Sequence, residues 1–105
     1  MTWFSASIFF KSEHSIESNE EPLWEECVYL IQAETHDEAM KNAISIGRKN
    51  EVEYAVSDND NVSWKFVKVE RLIQIDTNEL KNGTEVFSRF LRDKEVESLF
   101  TPFDD

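Results

Sequence analysis

Glu25, Glu26, Cys27 and Tyr29 crowd together directly after Trp24, and His36 follows a few residues on. Carboxylates can move protons, a thiolate can attack a carbonyl, and an imidazole can activate either step. The spacing works against that assembly. The stretch LWEECVYLIQA, Leu23 to Ala33, alternates like a strand, and strand neighbours point to opposite faces. Glu25 and Glu26 therefore diverge and cannot act as paired carboxylates. Trp24 and Cys27, three apart, diverge as well. Cys27 lies mid-strand among apolar residues, which raises a thiol's pKa, and no cation nearby would hold a thiolate.

The other candidates fare no better as chemistry. His36 opens a helix, where an imidazolium would meet the positive end of the helix dipole, and reads as a solvent-facing first-turn residue. His14 lies in an acidic loop, and His14, Cys27 and His36 lack the spacing of a metal site. Asp58-Asn59-Asp60-Asn61 has the residue types of a calcium loop, but no glycine follows and Val62-Ser63-Trp64 returns at once to strand. Ser57 to Asn61 therefore reads as a turn. Gly-rich phosphate loops, a serine elbow and H-E-x-x-H are missing from the sequence. The expectation is a non-enzyme with no catalytic residues, no metal site and no cofactor.

One stretch is unusual for its charge. Glu13 to Glu26 holds six glutamates and no Lys or Arg, with Ile16, Leu23 and Trp24 interleaved. Acidic and aromatic residues in mixture suit protein recognition, and Glu17, Glu20, Glu21, Trp24 and Glu25 are the candidate binding surface. The whole chain carries 22 acidic against 11 basic residues, a net of −11. That charge opposes binding to nucleic-acid phosphates and to anionic membranes, and it favours a basic protein, a cationic ligand or a divalent ion.

These residues must be held by a small framework. A chain of 105 residues is one domain, 1–105, long enough for a single core. A lone cysteine excludes an internal disulfide, and no leader or spanning segment is evident, so the expected compartment is the cytoplasm. Trp3 to Lys11 alternates, with Phe4, Ala6, Ile8 and Phe10 on the core side, as a first strand. Ser12 to Glu21 reads as a surface loop before the second strand. Thr35-His36-Asp37-Glu38 is a capping box, with the Glu38 side chain returning to the Thr35 N–H. It opens a helix from about His36 to Lys49 whose apolar stripe is Ala39, Met40, Ala43, Ile44, Ile46 and Gly47. Val52, Tyr54 and Val56 mark a third strand.

Val62, Trp64 and Phe66 begin a long fourth strand, in which a change of phase at Phe66/Val67 predicts a bulge. Trp64 and Phe66 are expected to be buried against the helix. Asn82-Gly83 predicts a hairpin leading to a fifth strand at Glu85–Leu91, and Asp93 a cap for a short helix to Phe100. The order ββαβββ gives an α+β fold: an antiparallel sheet of about five strands, one main helix on one face and a short C-terminal helical segment. The helix covers one face only. Val96–Phe103 or a partner molecule must cover the other, and the protein is expected to be a monomer or a homodimer through that second face.

The blocks W-F-S-A at Trp3, L-W-E-E at Leu23, T-x-x-E-A at Thr35, W-x-F at Trp64 and G-T-E-V-F-S at Gly83 resemble the bacterial domain of unknown function 4288 family. The resemblance runs from Trp3 to Leu91. It implies a small bacterial cytoplasmic protein without an assigned activity, so no functional residues carry over. The expected role is a non-catalytic protein-binding or adaptor module. One form would be an immunity-type neutraliser of a basic toxin; a small-molecule or metal-ion sensor using the second sheet face is the alternative.

Overall fold

The computed structural model describes residues 1–16, 21–77 and 79–100. Its elements are β1 (Thr2–His14), β2 (Trp24–Ala33), α1 (His36–Lys49), β3 (Val52–Ser57), β4 (Asp60–Gln74) and α2 (Asp93–Phe100). The strands form one antiparallel sheet in the order β2-β1-β4-β3, so the two long strands β1 and β4 are central and β2 and β3 are edges. The class is α+β, as the pattern predicts.

The core forms where the alternation of β1 requires it. Phe4, Ala6, Ile8 and Phe10 are buried on one face, joined by Ile31 and Ala33 of β2 and by Ala39 and Ala43 of α1. Small residues at Ala39, Ala43 and Gly47 let the helix axis lie close to the sheet, while Met40, Ile44 and Ile46 are half-buried along its flanks. Thr35 caps the helix, its Oγ accepting from the Glu38 N–H at 3.1 Å. The Glu38 carboxylate accepts from the Glu34 N–H, one residue before the expected partner. Arg48 and Lys49 in the last turn complement the dipole.

β4 contains the predicted bulge. Phe10 pairs with Phe66 and Phe9 with Lys68, so Val67 is the extra residue. A second bulge follows, because Ile8 pairs with Val69 and Ser7 with Arg71, leaving Glu70 extra. The paired shifts keep Phe66, Val69 and Leu72 against the core and turn Lys68, Arg71 and Ile73 to the opposite face. Trp64 and Phe66 are half-buried, less than expected, since α1 ends near them.

Two expectations need correction. Glu85–Leu91 is not a strand, so the sheet has four strands among the described residues. Asn82-Gly83 does make a turn, with Gly83 at φ 88° and the Thr84 N–H donating to the Lys81 carbonyl at 3.0 Å. That turn redirects the chain over the second sheet face without pairing strands. β1 also continues three residues beyond the predicted Lys11, to His14, shortening the acidic loop.

Coverage of the second face also departs from expectation. Residues 84–89 supply the cover nearest the sheet: Val86 and Phe87 share a cavity wall with Ile73 and Ile75, and Arg89 reaches Glu26. Ser5 and Ser7 are fully buried beneath this covering, and small side chains suit so close an approach. α2 stands off from the sheet across an open groove, with Leu99 lining it opposite Phe9, and Phe100 is exposed. Thr101, Pro102 and Phe103, part of the expected cover, lie outside the described residues.

Candidate functional site

The proposed acidic and aromatic surface sits where β2 begins at the sheet edge. Glu17 and Glu20 lie outside the described residues. Glu21 and Glu25 are exposed, and Trp24 is 52% exposed. Trp24 pairs with Lys11 across the strands, and the Lys11 ammonium stands 5.1 Å from its ring centroid. Such a cation–π contact fixes the indole while leaving half of it open. Glu13, on β1, adds a further exposed carboxylate. The aromatic surface therefore has a lysine inside it that no reading of Glu13–Glu26 alone contains.

Glu25 and Glu26 diverge as the strand period demands. Glu25 lies opposite Phe10, on the helix side, together with Cys27 opposite Ile8 and Tyr29 opposite Ala6. Burial raises the Cys27 thiol above its ordinary pKa, and the nearby Glu25 carboxylate raises it further. The thiol is thus held protonated, the wrong state for a nucleophile. Burial, then Cys27, likewise pushes the Tyr29 phenol up.

Glu26 points to the second face and acts as a hub there. It accepts from Ser7 Oγ at 2.5 Å, and Arg89 Nη1 approaches both carboxylate oxygens at 3.4 Å. Arg89 is thereby tied to the sheet across a wide sequence gap, which no local pattern could reveal. Beside this pair an open groove of about 450 Å³ runs between Phe9 and α2, lined by Leu99 of the helix and by Leu91 just before it.

The histidines take separate structural places. His36 meets the Phe4 ring edge-on, with centroids 6.2 Å apart. His14 ends β1, and its Nδ1 lies 2.7 Å from Asp60 Oδ2. Asp60 Oδ1 accepts from both the Ser15 N–H and the Ser15 hydroxyl at 3.2 Å. The hydrogen bond with His14 holds the Asp60 carboxyl below its ordinary pKa, with the His14 charge, Ser15 and the Ile16 backbone adding to the effect against some desolvation. The Asp-rich turn thus spends its last carboxylate on latching the end of β1. Among the described residues no three His, Cys, Asp or Glu side chains gather as a metal site would require, and no helix is long and apolar enough to cross a membrane.

Comparison with the curated proteins and with the solved structures gave no match. Residues 3–88, most of the sheet with α1 and the turn at Gly83, match the family described as Domain of unknown function (DUF4288), and the chain belongs to that family.

Proposed function

We propose that this protein is a non-catalytic binding module that engages a basic protein partner through the acidic rim around Trp24. The observation that supports this reading is a half-exposed tryptophan at the start of an edge strand, with exposed Glu13 on its own face, exposed Glu21 just before it in the chain and exposed Glu25 on the opposite face of the same strand end. An anchored aromatic within carboxylates has the composition of a recognition surface, and the carboxylates would steer a cationic partner towards it. β2 also presents one unpaired edge, to which an extended segment could add. The raised Cys27 thiol and the diverging carboxylates supply no nucleophile and no acid–base pair. An immunity-type neutraliser of a basic toxin is one form of this role, and the cytoplasm its expected compartment.

The test captures partners from a lysate of the source cells and measures association of the purified partner with three forms of the protein. Glu21→Lys with Glu25→Lys changes the net charge by four, from −11 to −7; Glu34→Lys with Asp37→Lys makes the same change at the helix start. Association with the rim variant should slow about tenfold at low salt, and the difference should shrink as salt rises. If both variants slow equally, net charge alone is responsible and the rim is not the site.

A further inference from the structure

For a chain with twice as many acidic as basic residues, the second sheet face is charged the wrong way. Lys65, Lys68 and Arg71 of β4 stand opposite Lys11, Phe9 and Ser7 of β1, all on that face. All three β4 side chains are exposed, and none forms an ion pair with a described residue. Lys11 and Lys65 are direct cross-strand partners, an arrangement of like charges that weakens a sheet. The carboxylates nearest to them are largely committed: Glu26 to Ser7 and Arg89, Glu53 to the Ser63 hydroxyl, and Glu51 to the Phe66 N–H. Glu13 is the free one at the stripe's end. The two bulges set the stripe's spacing: the first brings Lys68 to this face, and the second restores the original phase and keeps Arg71 on it.

The stripe borders the groove floored by Phe9. On the other side stand Arg89 and Lys94, with Leu91 and Leu99 between them, and Glu26 and Glu95 complete the wall. The stripe therefore flanks the apolar trough on the β4 side, while the far wall carries balanced charge, with Arg89 paired to Glu26. From Lys65 to Arg71 the bulged strand runs alongside Lys11 to Ser7 of β1, about 13 Å at ~3.3 Å per residue, the reach of a short extended peptide.

We infer that this face binds an acidic protein segment, its carboxylates on Lys65, Lys68 and Arg71 and one large apolar side chain in the trough over Phe9. A nucleic acid fits less well. Beyond this short stripe a phosphate chain would run onto Glu13, Glu53 and the acidic remainder of the surface, whereas a peptide ends where the stripe does. The inference does not rest on the acidic rim: Lys65, Lys68, Arg71 and Phe9 are not rim residues, although the two surfaces adjoin at Lys11 and Glu13 on the same face.

The probe is a synthetic acidic peptide of roughly eight residues with one central Phe, titrated against the full chain. Lys65→Glu, Lys68→Glu and Arg71→Glu together take the net charge from −11 to −17, as do the control reversals Lys41→Glu, Lys49→Glu and Lys81→Glu. The stripe variant should bind at least about tenfold more weakly than the parent, with the control losing much less. Replacing the peptide's Phe by Ser should weaken binding to the parent about tenfold, the effect of removing one buried aromatic anchor. Thermal melting checks that the variants fold, and Lys65→Glu relieves the like-charge pair with Lys11, so folding should survive. Equal loss in stripe and control variants overturns the proposal, as does a parent that ignores the peptide. A single-stranded oligonucleotide of matched charge that binds more tightly through the same residues overturns it in favour of nucleic acid. A parent dimer that the stripe variant dissociates overturns it in favour of a second copy of the chain.

Discussion

The Phe66 ring occupies the place where a side chain on Gly47 would stand. A Cβ built on Gly47 would fall against Cδ1 of Phe66, 2.6 Å from Cε1 and 3.2 Å from Cγ. The helix approaches β4 this closely because position 47 has no side chain, and Phe66 then packs edge-on to Phe10 at 6.4 Å.

Gly47→Ala sets two effects against each other. Alanine gains about 1 kcal/mol of helix propensity over glycine. Forcing a methyl group into a filled contact costs about 1–3 kcal/mol. The contact is with a ring wedged beside the core, not a flexible chain end, so the clash should win and the melting point should fall by several degrees. Phe66→Ala in the same chain should remove the conflict, so that the two losses are clearly less than additive. A higher melting point for the single variant would mean that α1 sits farther from β4.

The latch between His14 and Asp60 predicts a pH dependence. The folded state holds the Asp60 pKa below its ordinary 3.8. The folded form therefore binds that proton less readily than the unfolded chain. The stabilisation is present above the unfolded pKa and is lost as pH falls towards the lower folded value. Asp60→Asn should remove this part of the acid sensitivity, so parent and variant should differ in stability at neutral pH and converge below about pH 4. Denaturant unfolding at a series of pH values measures it. Parallel curves across that range would show that the carboxylate contributes nothing to holding β1 on the turn.

Local patterns made much of this architecture legible. The alternation of Phe4, Ala6, Ile8 and Phe10 predicts the buried face of β1, and the capping box with Arg48 and Lys49 in the last turn predicts both limits of α1. The phase change at Phe66 predicts the first bulge. The second bulge at Glu70 escaped, because Val69 and Ile73 are both apolar and conceal the switch of face between them. Glu85–Leu91 misled for a related reason. Val86 and Phe87 are there to cover Ile73 and Ile75, and a covering segment needs apolar residues as much as a strand does. Within the candidate surface, Glu21, Trp24 and Glu25 are exposed. Lys11 over Trp24, the Arg89–Glu26 pair and the stripe along β4 depend on cross-strand register and on contacts distant in sequence, which periodicity does not encode.

That covering segment supplies the last prediction. Residues 84–89 lie on the second face with no strand pairing, and their polar tie to the sheet among the described contacts is Arg89 to Glu26. Both side chains are about a quarter exposed, 27% and 26%, so solvent screens the pair and its own energy is modest, on the order of 1 kcal/mol. Its loss matters more for what it releases. Arg89→Ala leaves Glu26 with Ser7 alone and frees the segment to lift, exposing Val86, Phe87 and the face beneath them. The global melting point should drop by only a few degrees, since the core of β1 and α1 is untouched. Limited proteolysis between Leu80 and Leu91 should speed up markedly, and binding of an apolar dye should rise. Arg89→Lys keeps the charge but loses the two-oxygen approach, and should fall between the parent and Arg89→Ala. If proteolysis and dye binding stay at the parent's level in Arg89→Ala, the packing of Val86 and Phe87 on Ile73 and Ile75 alone holds the segment down.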